Sequence, residues 1–272
     1  QVGSALSSII AAGIVFLSGN YREIFIFSTI PYVLDLLLIS SYPKELDGDR
    51  REISLNEIKQ SFRRIFKMTV DASKSGGAGR LLSSAAIYGG VYKGMKDYLQ
   101  PLVRALALSL PLLMTLESVE RTALLMGAIY AVLYLLTAEA SRFSYRVSSR
   151  FSSPLKALDA ELGIGIGAAM LVGVFHLIDL TVVSVAMFFL IYIVQNLRRP
   201  VSVGEVSDAF AYEVQATALS TESQLQSIFA AIFAFLVGVV AELAGGSIGW
   251  GILAVAIGIA LFFPVLRLGS RR

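Results

Sequence analysis

The chain contains no cysteine and a single histidine, His176. Without cysteine it has no disulfide bond, no thiolate metal site and no thiol nucleophile. One histidine is too few for a histidine-cluster metal centre, and the carboxylates do not recur at metal-ligand spacing. The glycine-rich segment SGGAGR at 75–80 lacks the Gly-Lys-Ser/Thr ending of a phosphate-binding loop. We therefore expect no cofactor, no metal ion and no enzymatic activity.

Charged residues are also scarce. They make up 16% of the chain, against about 25% in a typical soluble protein, and hydrophobic residues make up 56%. The hydrophobic residues are concentrated in runs long enough to cross a bilayer as helices. This pattern predicts an all-α polytopic membrane protein with eight transmembrane helices. The predicted spans cover residues 2–17, 24–41, 81–103, 121–141, 158–177, 180–197, 223–243 and 248–266.

The basic residues predict how these spans are oriented. If the polar segment 42–80 is cytoplasmic and the spans alternate, 18 of the 23 lysine and arginine residues lie on the cytoplasmic side. Such an excess of positive charge is typical of cytoplasmic loops. We therefore predict a multi-pass protein of the plasma (inner) membrane with a cytoplasmic C-terminus. The segment 42–80 also contains an amphipathic pattern that predicts a helix on the bilayer surface. Because the basic residues follow the topology, no nucleic-acid partner is expected.

The third predicted span, residues 81–103, carries charge where most transmembrane helices have none. An ionisable group at the bilayer centre costs roughly 2.5–3.5 kcal/mol on insertion scales, so such groups usually face a cavity or a transport pathway. The polar residues recur at helical spacing and form one stripe: Gly89, Lys93, Lys96, Asp97 and Gln100. We predict that this polar stripe lines a cavity, with Lys93 and Asp97 paired across one helical turn. The alternative is that the residues after Lys93 lie near the membrane surface and reach water.

The other faces of this span are apolar or small. Gly90 and Gly94 form a small-xxx-small step at which another helix can approach closely. Tyr92 adds a hydroxyl group and aromatic surface beside the stripe. The face opposite the stripe predicts packing against lipid or other helices: it holds Ile87, Val91, Met95 and Leu102.

Asp35 is a second charge placed well inside a predicted span, the one that covers 24–41. It is a candidate for the same transport pathway. A structural role is equally well supported, either as a hydrogen-bond partner of a neighbouring helix or as a group near the lipid headgroups.

Four short patterns follow one another along the second half of the chain. They are SRFSYRVSSRF at 141–151, NLRRP at 196–200, QATALS at 215–220 and GVVAE at 238–242. Their order and spacing resemble the C-terminal half of a major facilitator superfamily transporter. In that family a basic loop joins the eighth and ninth helices, and Arg-Pro ends the tenth. Arg-Ala-Thr-x-Leu-Ser opens the eleventh helix, and Gly-x-x-x-acid ends it.

The resemblance implies a major facilitator-type helical bundle with eight of twelve transmembrane helices present. Residues 1–41 would be the last two helices of the N-terminal half, 42–80 the cytoplasmic central loop, and 81–272 the six-helix C-terminal half. The chain begins at Gln1 inside an apolar run, and we expect it to be part of a longer protein. Two positions depart from the family pattern, which more often has Arg at 215 and Asp at 242.

For function, the resemblance implies a secondary active transporter that moves a small solute by alternating access, with protons as the expected coupling ion. The two lysines of the stripe favour an anionic solute. A non-transporting membrane receptor or scaffold on the same fold is the alternative. The residues expected along the solute and ion pathway are Lys93, Lys96, Asp97, Tyr92, Gln100 and Asp35.

Four arginines near the cytoplasmic ends of the spans are predicted to act as a latch. They would pair with acidic residues of the segment 205–222 in one state of the transporter and release them in the other. The alternative is that they serve only as orientation signals and as contacts for anionic lipid headgroups. The four are Arg142, Arg146, Arg198 and Arg199.

Overall fold

The computed structural model describes residues 1–43, the single positions 63, 67 and 71, residues 77–111 and residues 114–269. The predicted surface helix within 42–80 therefore lies outside the described residues. Eight helices and no strand are found in the described part of the chain. They are α1 (Val2–Ser18), α2 (Arg22–Ser40), α3 (Gly77–Ser109), α4 (Ser118–Ser148), α5 (Pro154–Leu177), α6 (Thr181–Ala209), α7 (Tyr212–Leu243) and α8 (Ile248–Gly269).

The all-helical prediction is confirmed for the described residues, and each predicted span coincides with one helix. Five helices are long and apolar enough to cross a membrane, namely α2, α4, α5, α6 and α7. The apolar parts of α1 and α8 are shorter. Helix α3 is continuous, but charged residues break up its apolar sequence. These helices are consistent with a multi-pass membrane protein, whereas the number of eight spans stays a prediction.

Helices α3 to α8 pack into one bundle. Helix α3 lies against α6 and α7, α5 lies against α6 and α8, and α4 lies against α6. The predicted apolar face of α3 is turned into this bundle, because Ile87, Val91, Met95 and Leu102 are all buried. The prediction that this face packs is therefore confirmed, and other helices rather than lipid cover it. Its centre meets fully buried side chains of three other helices, Leu133, Phe188 and Ile252.

Small residues set how closely α3 approaches α7. A Cβ added to Gly90 would overlap the Cβ of Phe229, and one added to Gly94 would lie 2.6 Å from Cδ1 of Phe233. Only glycine therefore fits at these positions without moving a helix. The small-xxx-small contact predicted from the sequence is confirmed, and it brings the polar residues of α3 next to those of α7.

The first two helices are arranged differently. Helix α1 packs along α4, where Gly127 leaves room for Ala12 and lies close to the Ser8 carbonyl. Helix α2 touches α1 but has no buried residue, although most of its side chains are apolar. A helix of this composition with every face exposed suits a lipid environment better than water.

The sixth helix continues beyond the point where the sequence predicted its span to end. Residues 198–200 do not stop α6, which runs on to Ala209, and α7 begins three residues later at Tyr212. The cause is burial, because Ser202 and Val206 are almost inaccessible to solvent. Val206 packs with residues of α3, α5 and α7 in a second apolar cluster. This packing stabilises helix on both sides of Pro200 despite its missing backbone N–H.

Candidate functional site

The structure divides the polar stripe of α3 between two environments. At the first of these, Gly89 lies against the Gln226 side chain of α7, and an added Cβ would meet Gln226 Nε2 at 2.7 Å. At the other end Asp97 and Gln100 are exposed and line an open cavity. Lys93 lies between these two regions. The stripe is thus partly a helix contact and partly a cavity wall.

Lys93 is half-buried and bonded to α7 rather than to its own helix. Its Nζ donates to the Ser223 carbonyl at 3.4 Å and to Ser227 Oγ at 3.3 Å. No ion pair joins Lys93 to Asp97 among the described residues, so that predicted pair is wrong for this conformation. The spacing allows the contact, but the close approach of α7 offers the ammonium group nearer oxygen atoms. Because both acceptors are neutral, the charge of Lys93 is not cancelled by a bonded carboxylate.

Asp97 and Gln100 line a cavity of about 910 Å³ between α3 and α4. Arg104 lies on the same wall, so the cavity presents both a carboxylate and a guanidinium group. Tyr21, from the turn between α1 and α2, and Met126 of α4 also line this cavity. One end of the stripe therefore lines a cavity in this conformation.

A second cavity, of about 700 Å³, lies between α1 and α4. Tyr21 and Met126 line it as well, so the two cavities adjoin. Its walls carry hydroxyl groups rather than charges, which suits hydrogen bonds to a polar solute. The hydroxyl-bearing residues are Ser4, Ser7, Ser8, Tyr21, Tyr130 and Tyr134.

Four tyrosines form an aromatic cluster near these cavities. The ring of Tyr92 meets that of Tyr192 edge-on, with centroids 4.9 Å apart, and Tyr130 lies 6.1 Å from Tyr134. The two pairs are close enough to interact electrostatically, because Tyr134 acts on both Tyr92 and Tyr192. Sequence reasoning singled out Tyr92 alone. Tyr130 and Tyr134 are four residues apart in the predicted span 121–141, and this helical spacing is the signal that could have identified them.

Lys96 and Asp35 are predicted pathway residues that do not line either of these two cavities. Lys96 is exposed on α3. Asp35 is exposed on α2, a helix without any buried residue. Neither residue has a hydrogen bond or ion pair in the described part of the chain, so the structure gives Asp35 no link to the stripe.

The four predicted latch arginines are not gathered at one place. Arg142 pairs with Glu139 on its own helix at 2.9 Å, with both side chains largely exposed. Arg146 lies over the ring of Phe143, also on α4. Arg199 is exposed and acts on an acid of 205–222 only at a distance. In this conformation Arg142 and Arg146 contact residues of their own helix one turn away. Arg142 also lines a cleft together with Glu205 and Asp208 of α6. Pairing of these arginines with the acids of 205–222 in another state stays a prediction.

Arg198 is the exception, since it is buried within the bundle at 2% exposure. One of its terminal nitrogens donates to Ser84 Oγ at 2.7 Å and the other to the Leu158 carbonyl. Its guanidinium group also lies 5.1 Å from the centre of the Tyr88 ring. Arg198 thus joins α3, α5 and α6. Its role in holding three helices together was missed, because adjacent arginines in a sequence do not reveal which one is buried.

The charged groups of the site do not form a metal centre. In the described part of the chain, no three His, Asp or Glu side chains are close enough to hold a metal ion. Comparison of the chain with protein-family models, with curated proteins and with solved structures found no match.

Proposed function

We propose that this protein is a secondary active transporter that moves a small solute by alternating access, with a proton as the coupling ion. The observation that carries the proposal is the pair of adjoining cavities, one of which is lined by Asp97 and Gln100 of the polar stripe. Cavities that carry polar groups within a bundle of long apolar helices are what a membrane carrier needs at its solute site. The resemblance of the sequence to the major facilitator superfamily supports the same proposal.

The wall chemistry favours a small anionic solute with hydroxyl or aromatic groups. The amine of Lys93 donates to neutral acceptors, so Lys93 can bind an anion without first breaking an ion pair. The tyrosine cluster supplies hydroxyl donors and ring edges. Asp97, one turn after Lys93 on α3, lines the larger cavity together with Arg104. The Asp97 carboxylate would repel an anion and so favour its binding near Lys93 and Arg104.

The proposal includes a location and an orientation. The exposed apolar surface of α2 and of the outer bundle helices would face the lipid of the plasma (inner) membrane. The positive-inside rule puts the C-terminus in the cytoplasm. In the major facilitator-type arrangement we propose, α3 to α8 form one six-helix half of the transporter, and α1 packs against it as part of the other half.

The test is solute uptake into liposomes by the full-length protein, with and without a pH gradient. A panel of anions, sugars and organic cations would identify the solute class. We expect anion uptake that follows the proton gradient and falls at least tenfold in Lys93→Ala. Lys156→Ala is the matched control and should transport like the wild type, since Lys156 is exposed, bonds to Ser152 and lines neither cavity.

Two results would contradict this proposal. Equal losses in Lys93→Ala and Lys156→Ala would remove Lys93 from the solute site. Binding of a solute by folded protein without any flux would favour the non-transporting receptor, which uses the same fold without moving its ligand.

A further inference from the structure

Glu161 is buried in α5 and makes no side-chain hydrogen bond within the described part of the chain. Its side chain is 3% exposed, and among the residues that the structure describes neither of its carboxyl oxygens has a hydrogen-bond partner. Packing rather than a polar network therefore encloses this group. Buried carboxylates normally accept several hydrogen bonds or pair with a cation, so the lack of both requires a physical explanation.

Few charged groups face Glu161 from the helices around it. Arg198 is the cation that interacts electrostatically with Glu161. Tyr88 interacts electrostatically with both Glu161 and Arg198. Arg198 in turn acts on two further acids. The titratable groups that surround Arg198 besides Glu161 are Tyr88 on α3, Asp159 on α5 and Glu222 on α7. Arg80 of α3 pairs with Asp159.

The described side-chain hydrogen bonds of these neighbours are made to groups other than Glu161. Arg198 donates to Ser84 and to the Leu158 carbonyl, Arg80 pairs with Asp159, and the Tyr88 hydroxyl donates to the Ile191 carbonyl at 3.1 Å. An ionised carboxylate enclosed in this way would be a buried charge with no bonded partner, which is strongly unfavourable. A neutral carboxylic acid fits the same space at much lower cost.

We propose that Glu161 is an internal proton-binding site whose alternative partner is Arg198. In the conformation described here a proton occupies one oxygen of Glu161, and Arg198 bonds to Ser84 and Leu158. When the junction of α3, α5 and α6 loosens, the proton leaves to water. The resulting carboxylate then accepts hydrogen bonds from the guanidinium group of Arg198, which has five N–H donors. A single proton is exchanged for one ion pair.

This exchange would give the carrier a proton-dependent element near the predicted cytoplasmic ends of its helices. That last consequence rests on the proposed transport function, whereas the proton-binding site does not. The two are therefore testable separately, one by spectroscopy without any solute and the other by flux.

The test of the site is infrared spectroscopy of the full-length protein in lipid nanodiscs as the pH is raised. The C=O stretch of a protonated carboxylic acid is resolved from the amide bands. We expect a buried acid band in the wild type that decreases as pH rises and is lost in Glu161→Gln. Glu161→Asp, which keeps an acid at this position, should show a shifted band and so verify that the fold tolerates changes here.

Glu205→Gln is the matched control, because Glu205 lies on α6 at the same end of the bundle and is partly exposed. It should retain the wild-type band. Absence of the band at every pH at which the wild type is folded, or its persistence in Glu161→Gln, would overturn the proposal. If the band behaves as expected but flux is independent of pH, the proton site stands and proton coupling of transport is wrong.

Discussion

Gly173 and Gly167 lie on the same helix, α5, but in opposite environments. A Cβ added to Gly173 would lie 2.8 Å from both the Gly249 carbonyl oxygen and the Cβ of Leu253, and 2.9 Å from the backbone nitrogen of Leu253. A Cβ added to Gly167 would have nothing within 4 Å. Replacing each by alanine therefore separates the effect of the α5–α8 contact from the effect of the residue type.

The magnitudes follow from this geometry. Carbon atoms pack at about 3.5–4.0 Å, so Gly173→Ala must move α5 and α8 apart by about 1 Å. Overpacking of this kind costs about 1–3 kcal/mol. Alanine also gains about 1 kcal/mol over glycine in a helix, but both variants share that gain. We therefore expect Gly173→Ala to be less stable than Gly167→Ala by about 1–3 kcal/mol.

Reversible unfolding in mixed micelles, with SDS as the denaturant and circular dichroism as the readout, measures this difference. Gly167→Ala should unfold at the same or a higher SDS fraction than the wild type. Gly173→Ala should unfold earlier. Equal stability of the two variants would mean that α5 and α8 do not approach each other as closely as the structure shows.

Three further predictions concern other parts of the chain. Arg198→Ala should lower the free energy of unfolding by about 1–3 kcal/mol for each buried acceptor that it leaves unbonded. Arg142→Ala breaks an exposed ion pair and should change the free energy of unfolding by less than about 1 kcal/mol. Unfolding in SDS compares the two variants. Tyr192→Leu should lose the edge-on ring contact, worth about 0.5–1.5 kcal/mol, and should weaken solute binding measured by calorimetry. Because the chain has no cysteine, Ser149→Cys and Ala244→Cys each introduce a unique thiol. An impermeant maleimide applied from outside should label only the cysteine at 244, and labelling of that at 149 would reverse the predicted topology.

The buried face and the close-contact glycines of α3 could be predicted, because they follow from the sequence of one helix. Ile87, Val91, Met95 and Leu102 recur at helical spacing, and all four are buried. Gly90 and Gly94 were expected at a close helix contact and are found at one. Helical periodicity is a property of the chain itself, so it identifies a face before the partner helix is known.

The partner of Lys93 was not predictable in this way. Spacing suggested Asp97, four residues away, but Lys93 bonds to Ser223 and Ser227. These residues lie 130 and 134 positions later in the chain. A side chain of this length can reach several acceptors, and the packing of α7 against α3 determines which of them is nearest.

The sequence by itself determined that this protein is a set of long apolar helices and which face of α3 is polar, because composition and periodicity are local properties. Only the tertiary structure distinguished Arg198 from Arg199, since burial depends on residues far away in the chain. Arg198 meets Ser84, 114 positions before it, while its neighbour in sequence is exposed. The unbonded carboxylate of Glu161 is likewise a product of packing, because no local pattern shows which polar atoms a helix bundle will enclose without a partner.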